Sequence, residues 1–277
     1  MGKIYVQMTN GFGNNIFQYV AARLLGEYHN LDVIAIPPHH NYYAISCLEK
    51  LGIKFGEKQE ENLFVVDDAN YIHAFKKQHN DCNFFVNGFF EDYKYYIKMK
   101  TKIKNWFPEV KKRNDNDLVI HLRAGDRLFY KNEFYTKPKA EDYLRAMEKY
   151  EFDQIHIVTD MPEWKVFTET DLKSMKFHVS IPKDISVPVH ESMAYINSIV
   201  NALSKFNPIV KKRTIVDDFN FIRSFNNILF QHGTLGWWAA FLSDANKVGV
   251  YGQWRPWKGT SNKNLANVPL DEWFKWG

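Results

Sequence analysis

The segment His121-Leu122-Arg123-Ala124-Gly125-Asp126 gathers an imidazole, a guanidinium and a carboxylate around a glycine, directly after the apolar run Leu118-Val119-Ile120. Strand alternation puts His121 and Arg123 on one face and Leu122 on the other. An arginine stays charged and presents a planar fork of donors, which suits a diphosphate whose charge grows as a sugar departs. Asp126 could hold that arginine or shape the glycine turn, and a buried histidine beside an Arg–Asp tie is the purely structural alternative. Gly11-Phe12-Gly13-Asn14-Asn15 offers a glycine pair and a helix start whose free N–H groups favour an anion or a polar sugar. An ordinary tight turn would use the same residues. The third glycine of a dinucleotide fingerprint is replaced by Ile16, and no acidic residue closes a clear second strand, so a nicotinamide enzyme is the least supported reading.

Further polar groups fall at similar places. Thr159-Asp160 and Asp217-Asp218 stand at strand or helix ends, where a carboxylate can accept hydrogen bonds from a guanine edge or a ribose diol, or cap a helix. Gln231-His232-Gly233-Thr234 leads into another helix, which Thr234 would cap while the first-turn N–H groups hold a phosphate. Trp237 and Trp238 point at successive angles, so the core requires at most one of them. Asp115-Asn116-Asp117 has the form of a metal–nucleotide clamp but precedes its strand; it reads as a solvated loop, as do the basic clusters at 111–113 and 211–213. The ten histidines form no i,i+4 pair beside carboxylates, so no metal site and no cofactor are expected.

Positioning these groups requires alternating strands and helices. Residues 3–8 read as a strand, and a helix from about Asn14 carries Ile16, Phe17, Val20, Ala21 and Leu24 on one face. Strands are expected at 32–37, 63–66 and 83–90, and a helix over 97–106 that the Pro108 region stops. The polar stretch 111–117 marks a boundary. A second series follows, with strands at 118–123, 154–159 and 227–230 and helices at 140–150, after Pro162, at 189–206, 218–224 and 234–242. Two such series imply an α/β chain of two Rossmann-like domains, 1–113 and 114–277, facing across a cleft, with the last residues free to pack back on the first domain.

Bulk properties narrow the class. The chain has 277 residues, 45% of them hydrophobic, enough for one large or two ordinary domains with real cores. With 16% aromatic residues, either the core is aromatic-rich or exposed rings line a groove where sugars or bases stack, and core packing must cover most of them. A net charge of +4 suits a phosphate-bearing small ligand and falls short of a nucleic-acid footprint. Only Cys47 and Cys82 are present, so there is neither a disulfide framework nor a metal-type cysteine spacing. No apolar run approaches the roughly 20 residues of a membrane span, and the first residues lack the features of a signal peptide. The expectation is a cytoplasmic chain.

Taken in order, these motifs resemble the α-1,2-fucosyltransferase family, glycosyltransferase family 11, and more distantly the α-1,6- and protein O-fucosyltransferases. Residues 10–19 are similar to the family's Gly-Gly-Leu-Gly-Asn-Gln-Met-Phe-Gln-Tyr, and 88–96 to its Gly-Tyr-Trp-Gln-Ser-Glu-Lys-Tyr-Phe. Residues 121–126 match His-x-Arg-Arg-Gly-Asp, and 159–164 Ser-Asp-Asp-x-x-Trp. Residues 231–242 match Ala-Asn-Ser-Thr-Phe-Ser-Trp-Trp-Gly-Ala-Trp-Leu. The resemblance implies a GT-B fold with an amino-terminal acceptor domain, a carboxyl-terminal donor domain, and inverting, metal-independent transfer of L-fucose from GDP-β-L-fucose to a glycan hydroxyl.

By position, the resemblance implies that Arg123 holds the diphosphate and that His121 and Asp218 lie near the guanine. Thr234 and its helix complete the phosphate site, and Asn14 faces the fucose and acceptor. Gly11, Gly13, Asp126, Thr159, Asp160, His232, Gly233 and Trp237 belong with the donor site, and Asp92, with Glu91, is a candidate base. The chain departs from the family at Ala124, His232, Gly233 and Gly236. These positions leave open another nucleotide sugar, such as a different GDP-deoxysugar or UDP-xylose, and a non-catalytic glycan-binding module.

Overall fold

The structure is a computed structural model and describes residues 2–9, 11–37, 45–59, 62–77, 83–124, 137–160, 186–211, 213–231, 233–251 and 272–276, with the backbone alone for 186–190. The helix expected after Pro162 lies outside the described residues. The chain is mixed α/β and divides into two compact units, one taking the described residues up to Glu109 and the other those from Val110 onward.

In the first unit, strands β1 (Lys3–Gln7), β2 (Asp32–Ile36), β3 (Leu63–Val66) and β4 (Asn83–Val86) form one sheet in the order β2-β1-β4-β3. Every pairing is parallel. Helix α1 (Phe12–His29) follows β1. Its Ile16, Phe17, Val20 and Ala21 are fully buried, and Asn30 ends it in the left-handed conformation. Its described residues also form short helices α2 (Ile45–Glu49), α3 (Tyr71–Ala74) and α4 (Lys100–Lys104). The single helix expected over 97–106 is instead a 3-10 turn, Ile97–Met99, followed by α4. Ile97 and Met99 are exposed while Ile103 is buried, so no continuous apolar stripe holds one long helix to the core.

The second unit has a six-stranded, all-parallel sheet in the order β10-β9-β8-β5-β6-β7. Its strands are β5 (Leu118–Leu122), β6 (Ile155–Thr159), β7 (Ile209–Val210), β8 (Asn227–Phe230), β9 (Lys247–Tyr251) and β10 (Phe274–Trp276). Its helices are α5 (Ala140–Met147), α6 (Ser186–Ala202), α7 (Ile215–Arg223) and α8 (Thr234–Leu242). All residues of β5 are buried, as expected for a central parallel strand covered on both faces. Leu118, Ile120 and Leu122 share a core with Tyr143 and Ala146 of α5 and with Ile196 and Ile199 of α6.

Two sequence expectations need correction here. The 111–117 stretch is a solvated loop only in part: Lys111, Asn114 and Asn116 are exposed, but Arg113 forks onto Asp115 and Asp117, and Asp117 Oδ2 also lies 2.9 Å from His156 Nε2, tying the entry of β5 to β6. Nor is Arg213 the solvated side chain expected of the 211–213 loop, since its guanidinium stacks 3.5 Å over the Phe221 ring and is largely covered.

Candidate functional site

The order of the second sheet places its switch point between β5 and β8, because the chain runs from β5 to one side and later returns on the other. Ligands of open α/β sheets collect outside the carboxyl ends of such strands. There β5 ends in His121-Leu122 and runs on into Arg123 and Ala124. Arg123 Nη1 lies 2.9 Å from Asp160 Oδ2, and the Ala124 N–H donates to Asp160 Oδ1 at 2.8 Å. One carboxylate at the end of β6 therefore fixes both the backbone after β5 and the guanidinium beside it. Asp160 thus does the holding considered for Asp126, which lies outside the described residues, as does His232.

Helix α8 starts at the same place. Gly233 is its N-cap with φ 139 and ψ 137, a conformation open essentially to glycine alone, and a Cβ there would sit 3.9 Å from Arg123 Cγ. Thr234 is the first helical residue and not the cap expected from sequence. No acidic side chain occupies the first turn, so the positive end of the helix beside Arg123 is not neutralised by its own residues. The guanidinium and the helix terminus together make a surface for an anion.

His121 is buried on the α8 side of β5. Burial pushes its pKa down to about 4, with the neighbouring Arg123 acting in the same direction and Asp160 opposing, so the ring is neutral at pH 7. Among the described residues its Nδ1 has no hydrogen-bond partner. A Cβ on Gly236 would lie 2.7 Å from that nitrogen and 3.0 Å from the Phe230 ring. Where the resembling motif has serine, glycine here is what lets the imidazole lie against the helix.

The remaining positions expected at a donor site divide. Thr159 closes β6 next to Asp160. Asp218 is buried in the first turn of α7, with Arg213 Nη1 at 3.5 Å, while Thr214 caps that helix by accepting from the Asp217 N–H at 3.3 Å. Trp237 is fully buried, stacked on Phe241 at 4.8 Å and 14° and covered by Trp273, so its ring belongs to the core. Trp238 is equally buried, against the expectation that one tryptophan would suffice, because α8 is apolar on every side and packed all round. Two supports carried no signal in the sequence. Gln231 Nε2 donates to the hydroxyls of Tyr143 and Tyr195, and Ser192 Oγ donates to the Ala124 carbonyl at 3.4 Å, so α5 and α6 brace the loops that bear Arg123 and Gly233.

In the first unit, Gly11 has φ 121 at the head of α1, with the Asn14 side chain 3.7 Å from where a Cβ would be, and Gly13 is buried in the first turn. Asn15 Oδ1 and Gln18 Oε1 both accept from the Thr9 N–H, and Gln18 Nε2 donates to the Gly88 carbonyl at 2.9 Å, linking the ends of β1 and β4. The Thr9 bond fixes the Asn15 amide, whose buried Nδ2 has no partner among the described residues. Asp92 caps the 3-10 turn Tyr93–Tyr95, accepting from the Lys94 N–H at 3.0 Å, and Glu91 precedes it. Gln18 and Asp68, which accepts from the Phe89 and Phe90 N–H groups, are supports that motif reading missed.

Among the described residues, no group of three or more His, Cys, Asp or Glu side chains could hold a metal ion, and no helix is long and apolar enough to cross a membrane. Neither a protein-family model nor a curated protein sequence matches the chain.

Proposed function

We propose that the chain is an inverting, metal-independent glycosyltransferase with a GT-B fold, which moves L-fucose from GDP-β-L-fucose to a hydroxyl of a glycan acceptor in the cytoplasm. The observation that carries this reading is the pinned Arg123 beside the amino end of α8, at the carboxyl ends of β5, β6 and β8. A guanidinium has five donors, so an arginine oriented by one carboxylate still serves a phosphate. In the transfer, Arg123 and the first turn of α8 take up the charge that develops on the departing diphosphate, and they are already in place when it does. His121, being neutral, adds no second positive charge to that pocket. Asn14 orients the incoming hydroxyl, and Glu91 or Asp92 receives its proton.

A second reading keeps the fold and changes the donor to another GDP-deoxysugar or a pentose nucleotide such as UDP-xylose. It is favoured by Ala124, whose methyl group is fully buried where the resembling motif has a second arginine, and by Gly236 against His121. The test is release of free nucleotide from GDP-fucose and UDP-xylose in the presence of a glycan panel, for the natural chain and for Arg123→Ala. Acceptor-dependent release of GDP that disappears in a folded Arg123→Ala supports the first reading, and release from UDP-xylose alone supports the second. No release from either donor leaves another GDP-deoxysugar, tested next in the same assay, or the binding-module reading.

A further inference from the structure

The first sheet has its own switch point, between β1 and β4. The loop that leaves β4 there displays an aromatic ring on a rigid mount. Phe89 is 50% exposed, as several apolar side chains of the described surface are, and what sets it apart is how its backbone is fixed. Its backbone is held from several sides: Asp68 accepts from the Phe89 N–H at 2.9 Å and from the Phe90 N–H at 2.7 Å, and Gln18 donates to the Gly88 carbonyl. Tyr96 donates to the Phe90 carbonyl. Phe90 itself takes φ 52, a strained value for a non-glycine residue, while its ring is buried against Tyr71. Gly88 cannot be replaced without disturbing this mount, since a Cβ would meet Asp68 Oδ2 at 2.5 Å.

The chain thus spends backbone strain to turn the Phe90 ring inward and leave that of Phe89 outward. Two carboxylates, Glu91 and Asp92, follow within three residues, both half-buried. An exposed ring face offers an apolar platform for the C–H bonds on one side of a pyranose, and carboxylates accept hydrogen bonds from its hydroxyls while repelling acidic sugars.

We infer that the Phe89 loop is a binding subsite for a neutral pyranoside. As the acceptor subsite it rests on the transferase reading; as a sugar-binding surface it stands by itself. The experiment is saturation-transfer NMR on the full chain with methyl glycosides of neutral hexoses and of glucuronic acid at millimolar concentration, repeated for Phe89→Ala and Phe89→Trp, with GDP binding followed separately. The expected result is transfer to ring protons of at least one neutral glycoside and little to the glucuronide. Binding should weaken about tenfold in Phe89→Ala and persist in Phe89→Trp, while both variants keep the melting temperature of the parent. Absence of transfer from every neutral glycoside, stronger binding of the glucuronide, or unchanged binding in Phe89→Ala overturns the subsite. Sugar binding without any response to GDP would preserve the subsite and remove the donor reading, whereas GDP binding without sugar binding would do the reverse.

Discussion

Replacing Asp160 separates the two tasks of its carboxylate. In Asp160→Ala, the N–H of the fully buried Ala124 loses its acceptor at 2.8 Å, and Arg123 loses its partner at 2.9 Å. An orphaned buried N–H costs about 1–3 kcal/mol. The ion pair adds at most about 1 kcal/mol, because the two side chains are 30% and 20% exposed and water screens them. The sum is a loss of about 1–4 kcal/mol, which for a chain of this size lowers the melting temperature by about 2–16 °C. Asp160→Asn keeps an oxygen for the Ala124 N–H and gives up only the charge, so its loss should stay near 1 kcal/mol. Calorimetric or urea unfolding of the two variants beside the parent measures the difference. Equal stability of the alanine and asparagine variants would refute the claim that this carboxylate anchors the end of β5.

Other expectations follow from the same geometry. The pKa of His121 falls from its usual 6.5 to about 4 on folding, so the unfolded chain binds the extra proton first. The associated stability is complete above pH 6.5 and declines by about 3 kcal/mol as the pH falls towards 4; unfolding from pH 7 to 4 should therefore be less steep in His121→Phe than in the parent. Gly233→Ala, at φ 139, should cost about 1–3 kcal/mol in chemical denaturation. Gly236→Ala sets an overpacking cost of about 1–3 kcal/mol against a helix-propensity gain of about 1 kcal/mol, and the shifted His121 ring should be visible in its NMR resonances. Asp117→Ala, which leaves His156 Nε2 without its partner and Arg113 with Asp115 alone, should lose about 1–3 kcal/mol without changing nucleotide binding, because it lies at the opposite end of β5 from Arg123.

Much of the α/β alternation was legible because long periodic segments dominate it. The apolar face of α1 and the short buried runs of β5, β6 and β8 announce themselves by pattern alone. Short elements were not legible: α2, α3 and β7 have two to five residues each, too few to show a period. The placement of Arg123 at a strand end followed from topology, but its partner did not. Asp160 and Asp126 were equivalent in sequence, and only the register of β5 with β6, which sets Leu122 opposite Thr159, brings Asp160 to Arg123. Trp237 shows the opposite failure: angular position on a helix cannot reveal that a second layer, here Trp273, covers the other side. Likewise the ties of Gln231 to Tyr143, Gln18 to Gly88 and Asp68 to Phe89 span 21 to 88 residues of sequence and leave no local trace.

The most direct test of the central claim is titration calorimetry of GDP, UDP and NAD into the natural chain and into Arg123→Ala. The expected result is that GDP alone binds the natural chain, and that Arg123→Ala, folded, binds it about 10- to 100-fold more weakly, the worth of one charge-assisted hydrogen bond to phosphate. Unchanged GDP affinity in the variant, or a preference of the natural chain for NAD, would contradict the assignment of Arg123 and α8 to a nucleotide-sugar diphosphate.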